Sequence, residues 1–212
     1  MLCYRCGTYS PDGSRQCIEC GEAFSPERRR SSPAGLPSGR AEASEKPPFA
    51  VGQTVADHYR LKEVIARGAS GWVMRARDEG SQSDVAIKIL DPNLLSTETQ
   101  RADFLKVAKK TIKIHHPNVV RVFQAGTEGD LVFYTMTYLE GLTLRKIIDL
   151  RAEKKQVFSF SEAIPLVNQL AEGVQGLSKL KFHGALSPNN VLVLPDILKI
   201  TGVSHFHGLP HA

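Results

Sequence analysis

The sequence predicts an α+β domain preceded by a small metal-held knot and a disordered tether. Three observations predict it. All four cysteines fall in two CxxC pairs at the amino terminus. The stretch from Ser25 to Pro48 is rich in Ser, Pro, Gly, Arg and Glu and has almost no large apolar side chains. From Val51 onward, strand-like runs surround a glycine turn and are followed by helices with an apolar periodicity. The 212 residues suit one or two domains, and 42% hydrophobic with 23% charged residues is an ordinary globular composition. A net charge of +5 permits an anionic partner without demanding one. Met1-Leu2-Cys3 opens no charged region followed by an apolar one, and no run approaches about 18 apolar residues. A cytoplasmic protein with no membrane span is expected.

The knot comprises Cys3-Tyr4-Arg5-Cys6-Gly7 and Cys17-Ile18-Glu19-Cys20-Gly21, in residues 1–24. Each two-residue gap lets a tight turn aim two thiolates at one ion, and the glycine that follows permits close backbone approach to sulfur. Cys3, Cys6, Cys17 and Cys20 then form a tetrahedral set that resembles a zinc ribbon, with sulfur at about 2.3 Å from structural zinc. Iron bound by four sulfurs uses the same ligands. A disulfide pair is disfavoured in a reducing compartment, and a thioredoxin-like site needs a βαβ unit that is absent here. So short a segment cannot build an apolar core, so the metal must supply most of its folding free energy.

Residues 25–50 cannot bury enough surface to offset the entropy of ordering and are expected to be a disordered linker. Arg28-Arg29-Arg30-Ser31-Ser32 within it has the look of a site for a basophilic kinase, although a solvated tether explains it as well. The basic residues of the chain are scattered without interleaved aromatics, so nucleic-acid binding is not expected.

In the remaining region, Tyr59–Ala66 reads as a strand leading into Gly68-Ala69-Ser70-Gly71-Trp72-Val73, and Val85-Ala86-Ile87-Lys88 follows. A helix over Thr97–Ile114 ends at His116-Pro117-Asn118. Val119–Ala125 and Asp130–Tyr138 read as strands around Thr127-Glu128-Gly129. Thr143–Arg151 and Ser161–Leu180 read as helices, the second with Leu166, Val167, Leu170, Val174, Leu177 and Leu180 on its apolar face. His183-Gly184-Ala185-Leu186-Ser187-Pro188-Asn189-Asn190 and Gly202-Val203-Ser204 complete the set.

With these motifs in this order, residues 51–212 resemble the bacterial serine/threonine-type protein kinases. The resemblance implies a small lobe over 51–140, a twisted antiparallel sheet plus helix C, and a truncated helical large lobe over 141–212. It makes Lys88 the phosphate-binding lysine beneath a turn carrying Gly68 and Gly71, with Ala66 in place of the first glycine of the family pattern. It sets Val73, Ala86, Met136 and Leu192 around an adenine pocket, with Tyr138-Leu139 as the hinge; the same apolar residues could equally fill the cleft as core. Asn190 keeps a metal-ligand position.

Three positions depart from the family pattern. Val107 stands where helix C carries the glutamate that pairs with the lysine, Ala185 where the catalytic loop carries its base, and Gly202 where an aspartate holds magnesium. These departures imply a pseudokinase without enzymatic activity, acting as a protein-interaction or regulatory module in bacterial signalling. The competing expectation, from Gly68, Gly71, Lys88 and Asn190, is a nucleotide-binding sensor or residual serine/threonine kinase that uses ATP, without a productive magnesium. Because the resemblance covers only the first part of the large lobe, one face of the 161–180 helix is expected to be exposed to a protein partner or a second copy. Helix C, with Lys106, Lys109, Lys110 and Lys113 on one side, offers another docking face or simply a solvated one.

Overall fold

In the computed structural model, residues 14–17, 47–68, 70–178 and 186–202 are described. Cys3, Cys6 and Cys20, most of the 25–50 linker, Ala69, Leu180, His183, Ala185 and Val203-Ser204 lie outside them. Of the described residues, 47–68, 70–114 and 121–139 form a sheet unit, and 14–17, 115–120, 140–178 and 186–202 form a helical unit.

The sheet unit holds six antiparallel strands: β1 (Thr54–Val55), β2 (Tyr59–Gly68), β3 (Gly71–Asp78), β4 (Ser83–Leu90), β5 (Val122–Glu128) and β6 (Leu131–Thr137). Their order is β1-β2-β3-β4-β6-β5. Alternation along β3, β4 and β6 sends Met74, Ala76, Val85, Ile87, Ile89 and Phe133 to one face, where they bury with Val55, Tyr59 and Leu61. The sheet curls until its outer strands meet: the Tyr59 hydroxyl donates to Gln124 Oε1 at 2.7 Å, and the Ala56 amide donates to Glu128 Oε2 at 3.0 Å. Curling of this kind follows from the intrinsic strand twist and the register shifts in β2 between Leu61 and Glu63 and between Val64 and Ala66.

The first helix, α1 (Glu98–Thr111), starts at a capping box. The Gln100 amide donates to Thr97 Oγ1 at 3.2 Å, and the Thr97 amide donates to Gln100 Oε1 at 3.1 Å. Phe104, Ala108 and Thr111 are its buried side. Phe104 meets Tyr134 with ring centroids 6.4 Å apart. Tyr134 is the register partner of Lys88, so α1 covers the lysine-bearing face of the sheet.

The helical unit contains α2 (Leu144–Glu153), α3 (Phe160–Ser178) and a small sheet of β7 (Leu142–Thr143), β8 (Val191–Val193) and β9 (Leu198–Ile200). The stretch 119–125, expected as one strand, is divided. Val120 donates its amide to the Ile200 carbonyl at 2.8 Å, whereas pairing with β6 begins at Val122. The helix expected over 161–180 is present, but its faces differ from the expectation. Leu177 and Gly173 are buried and Leu166 and Leu170 half-buried, while Val167 and Val174 turn outward. Periodicity alone could not separate them, because α3 is apolar on two sides. No described helix is long and apolar enough to cross a membrane.

Candidate functional site

The glycine turn is a hairpin between β2 and β3 in which Gly68 and Gly71 face one another across the two-residue loop. Gly71 has φ +116°, and a Cβ there would stand 2.2 Å from the Ile89 carbonyl oxygen and 2.7 Å from the Asp91 amide nitrogen. Glycine is therefore required at 71, where β3 presses on the end of β4. At Gly68 a Cβ would meet nothing within 4 Å. Ala66 pairs with Val73 in the ladder, so the missing family glycine costs the hairpin nothing.

In the sheet, Val73 lies opposite Lys88, Ala86 opposite both Arg75 and Met136, and Lys88 opposite Tyr134. Partners in an antiparallel ladder share a face, so Val73, Ala86, Lys88 and Met136 are brought to one surface. Leu139 follows β6 and is half-buried. Lys88 is 4% exposed, and its ammonium donates to the Gly71 carbonyl at 3.0 Å. Burial lowers its pKa from 10.5 to about 8.

Val107, in the place of the family glutamate, is half-buried on α1, and Asp103 one turn earlier is exposed. Among the described residues no carboxylate pairs with Lys88. The Gly71 carbonyl holds the ammonium instead, an anchor that side-chain motifs do not reveal.

The helical unit carries Asn190, Leu192 and Gly202. Asn190 closes a short 3₁₀ turn over Pro188–Asn190, and Leu192 is in β8. The Thr201 amide and hydroxyl both donate to the Asn190 carbonyl, at 2.7 and 3.2 Å, which clamps residue 190 beside Gly202. Gly202 adopts φ +70°. Within 186–202 the one carboxylate, Asp196, is exposed in the turn between β8 and β9.

A second cluster in this unit was missed as a site support. Buried Asn118 donates from Nδ2 to Gln169 Oε1 at 3.0 Å and to the Leu198 carbonyl at 3.1 Å. Gln169 Oε1 also accepts from the Leu198 amide at 2.8 Å. His116-Pro117-Asn118 thus fixes β9, the strand that delivers Gly202, rather than merely ending a helix. No sequence signal marks Gln169, which lies between two apolar positions of α3.

A family model described as protein tyrosine and serine/threonine kinase matches residues 59–206. The chain is 30% identical over 143 residues to the serine/threonine-protein kinase PknD of Chlamydia muridarum, covering 64% of this chain and 15% of that protein. It is 29% identical over 153 residues to a probable serine/threonine-protein kinase of Clostridium perfringens, covering 71% of this chain and 22% of that protein. The chain thus spans under a quarter of the length of these curated relatives. Among solved structures, the kinase domain of PknI from Mycobacterium tuberculosis superposes with a TM-score of 0.67 at 19% identity, over 76% of this chain and 62% of that one. That likeness shows the fold.

The expectation of a non-enzyme is overturned by these relatives, which are named serine/threonine-protein kinases, on a fold that is a kinase fold. Three side-chain identities do not by themselves exclude the reaction. Phosphoryl transfer rests mainly on positioning and charge stabilisation spread over many groups, and here the glycine turn, the buried lysine and Asn190 are present. The curled sheet with Lys88 on its helix-covered face, and the continuous match over residues 59–206, place this chain in the protein tyrosine and serine/threonine kinase family.

Proposed function

We propose that this chain forms the ATP-binding part of a serine/threonine protein kinase. The observation that carries the reading is Lys88, a buried cation whose only partner among the described residues is the Gly71 carbonyl. A desolvated ammonium without a counter-ion is costly, and an anionic phosphate relieves that cost. The glycine turn lies directly beside it. Val73, Ala86 and Met136 on the same sheet face provide apolar surface for a purine. Magnesium accompanying such a nucleotide commonly keeps several waters and takes phosphate oxygens for the rest. When bound, such an ion neutralises charge on the transferred group.

Position 185 supplies no base. The transition state of phosphoryl transfer is loose and asks little covalent chemistry of the protein, so in this reading positioning and charge neutralisation carry the reaction. A general base contributes about 10²–10⁴ in rate, and Ala185→Asp is expected to raise transfer from labelled ATP by a factor in that range. The test of the binding itself is thermal denaturation in rising ATP, with and without magnesium. Native-state binding stabilises by about 2.7 kcal/mol at a ligand concentration 100 times Kd. Stabilisation that vanishes in Lys88→Met supports the proposal; no shift at millimolar nucleotide refutes it.

We also infer structural zinc held by Cys3, Cys6, Cys17 and Cys20. The support is the donor set: four thiolates in paired spacing suit tetrahedral zinc. Cys17, the one of the four among the described residues, is buried.

A further inference from the structure

One row of the sheet carries both the proposed purine surface and a charge. Arg75 of β3 stands opposite Ala86 of β4, which stands opposite Met136 of β6. Partners in a ladder share a face, so a guanidinium borders the apolar surface offered to the base. Lys88 lies two residues from Ala86 along β4 in one direction, and Asp84 two residues in the other. The phosphate end and the far end of the proposed site are thereby separated along a single strand.

Arg75 is held in place from both flanking strands. Its Nε donates to Asp84 Oδ2 at 2.7 Å, Nη2 pairs with the same carboxylate oxygen, and Nη1 donates to Glu63 Oε1 at 3.2 Å. Asp84 belongs to β4 and Glu63 to β2, the two neighbours of β3. Asp84 also accepts from the Lys62 ammonium at 2.7 Å. As an isolated surface ion pair such a contact would add little. Three donors aimed at two carboxylates nonetheless fix the plane of the guanidinium, a plane that a lysine ammonium lacks.

That plane meets the segment that leaves the sheet. Pairing of β6 with β4 ends at Thr137 opposite Val85, and the Thr137 amide donates to the Arg121 carbonyl at 2.9 Å. The next residue, Tyr138, has its ring against Arg75, 4.6 Å from the guanidinium carbon to the ring centroid. Asp84 is the β4 residue next beyond Val85, so Arg75 reaches diagonally past Ala86 to gather Asp84 and Tyr138 together. Tyr138-Leu139 is the hinge segment of the kinase pattern, at the edge of the purine surface. The contact ties that segment to β2, β3 and β4 at the point where pairing with β4 stops.

We propose that Arg75 is a positioning residue for the nucleotide base: locked by Asp84 and Glu63, it stacks on Tyr138 and sets where the 138–139 backbone meets the purine. The proposal rests on the nucleotide reading above. Its test is calorimetric titration of the whole chain with ATP and, separately, with inorganic triphosphate. Wild type is compared with Arg75→Met, Arg75→Lys, Tyr138→Leu and the double variant Arg75→Met/Tyr138→Leu. Arg75→Met is expected to weaken ATP binding about tenfold, the worth of one partly desolvated cation–π contact, and to leave triphosphate binding at Lys88 unchanged. Arg75→Lys should behave like Arg75→Met, because charge without the planar fork does not hold the ring. The double variant should bind ATP no more weakly than either single variant, since the two side chains act through one contact. Should Arg75→Met fail to fold, Arg75→Lys and Tyr138→Leu carry the same comparison. Wild-type affinity for ATP in Arg75→Met or Arg75→Lys overturns the proposal. Equal weakening toward both ligands overturns it too, by assigning Arg75 to sheet stability alone. A wild type that does not bind ATP removes the nucleotide reading itself, and this proposal with it.

Discussion

Lys88 must be desolvated to stand where it does, and its pKa of about 8 measures the cost. A fall of that size from 10.5 corresponds to about 3 kcal/mol disfavouring the charged folded state near neutrality. Below pH 8 both folded and unfolded chains hold the proton, so the full cost is present. Between about 8 and 10.5 the unfolded chain keeps a proton that the folded one has released, and stability rises with pH. Lys88→Met, which forfeits the bond to Gly71, is therefore expected to stabilise the nucleotide-free protein by about 1–2 kcal/mol at pH 7. Because the wild type itself gains about 3 kcal/mol over that window, the difference should reverse sign by pH 10.5 in urea denaturation at the two pH values. A variant no more stable than wild type at pH 7 would show that Lys88 is not desolvated. Gly71 and Gly68 make a second residue-scale contrast. Gly71→Ala places a methyl against the Ile89 carbonyl at a positive φ and is expected to cost at least about 2 kcal/mol, whereas Gly68→Ala should change stability by less than about 1 kcal/mol. Equal effects in thermal denaturation would contradict the turn geometry.

At the scale of elements, α3 is held from two directions. Its start is fixed by Glu162, which accepts from the Ser159 amide at 2.8 Å and pairs with the buried Arg151 of α2. Burial alone would raise the Glu162 pKa, but bonds from Arg151 and Ser159 outweigh it and hold the carboxyl below its ordinary value. Its middle is fixed by the absence of side chains at Gly173 and Gly176, which lets β9 and His116 approach. Replacing a helical glycine by alanine normally gains about 1 kcal/mol of helix propensity. Here Gly173→Ala is expected to reverse that sign and destabilise, because the methyl would meet Ile200, Asn118 Cβ and the Asn118 carbonyl at 2.7–3.2 Å. A more stable Gly173→Ala protein would mean that β9 does not rest on this part of the helix.

At the scale of the whole molecule, the proposed zinc site and the kinase-like region would draw on different sources of stability. The first would depend on thiolate coordination, whereas the second rests on apolar burial within its own sheet. The chain is accordingly expected to carry one zinc atom. A chelator should release it and leave the main thermal transition in place. Metal analysis with calorimetry before and after chelation checks this, and a transition that disappears with the metal would tie the two together.

Much of this molecule was written in local pattern. The paired cysteines, the hairpin glycines, Val85-Ala86-Ile87-Lys88 and the extent of each helix depend on near neighbours in sequence, where spacing and capping chemistry act. The family of the chain was legible for the same reason. What the tertiary structure decided were the pairings between distant segments: the meeting of Tyr59 with Gln124 that closes the sheet, the Gly71 carbonyl that anchors Lys88 in the absence of a helix carboxylate, and the Asn118–Gln169–Leu198 set that steadies β9. It also decided which apolar side of α3 is buried. Val167 and Val174 are as apolar as Leu170 and Leu177, and only the position of β9 sends one pair outward and the other in. Hydrophobic burial has no direction of its own, so a helix apolar on two sides takes its inner face from whatever element reaches it.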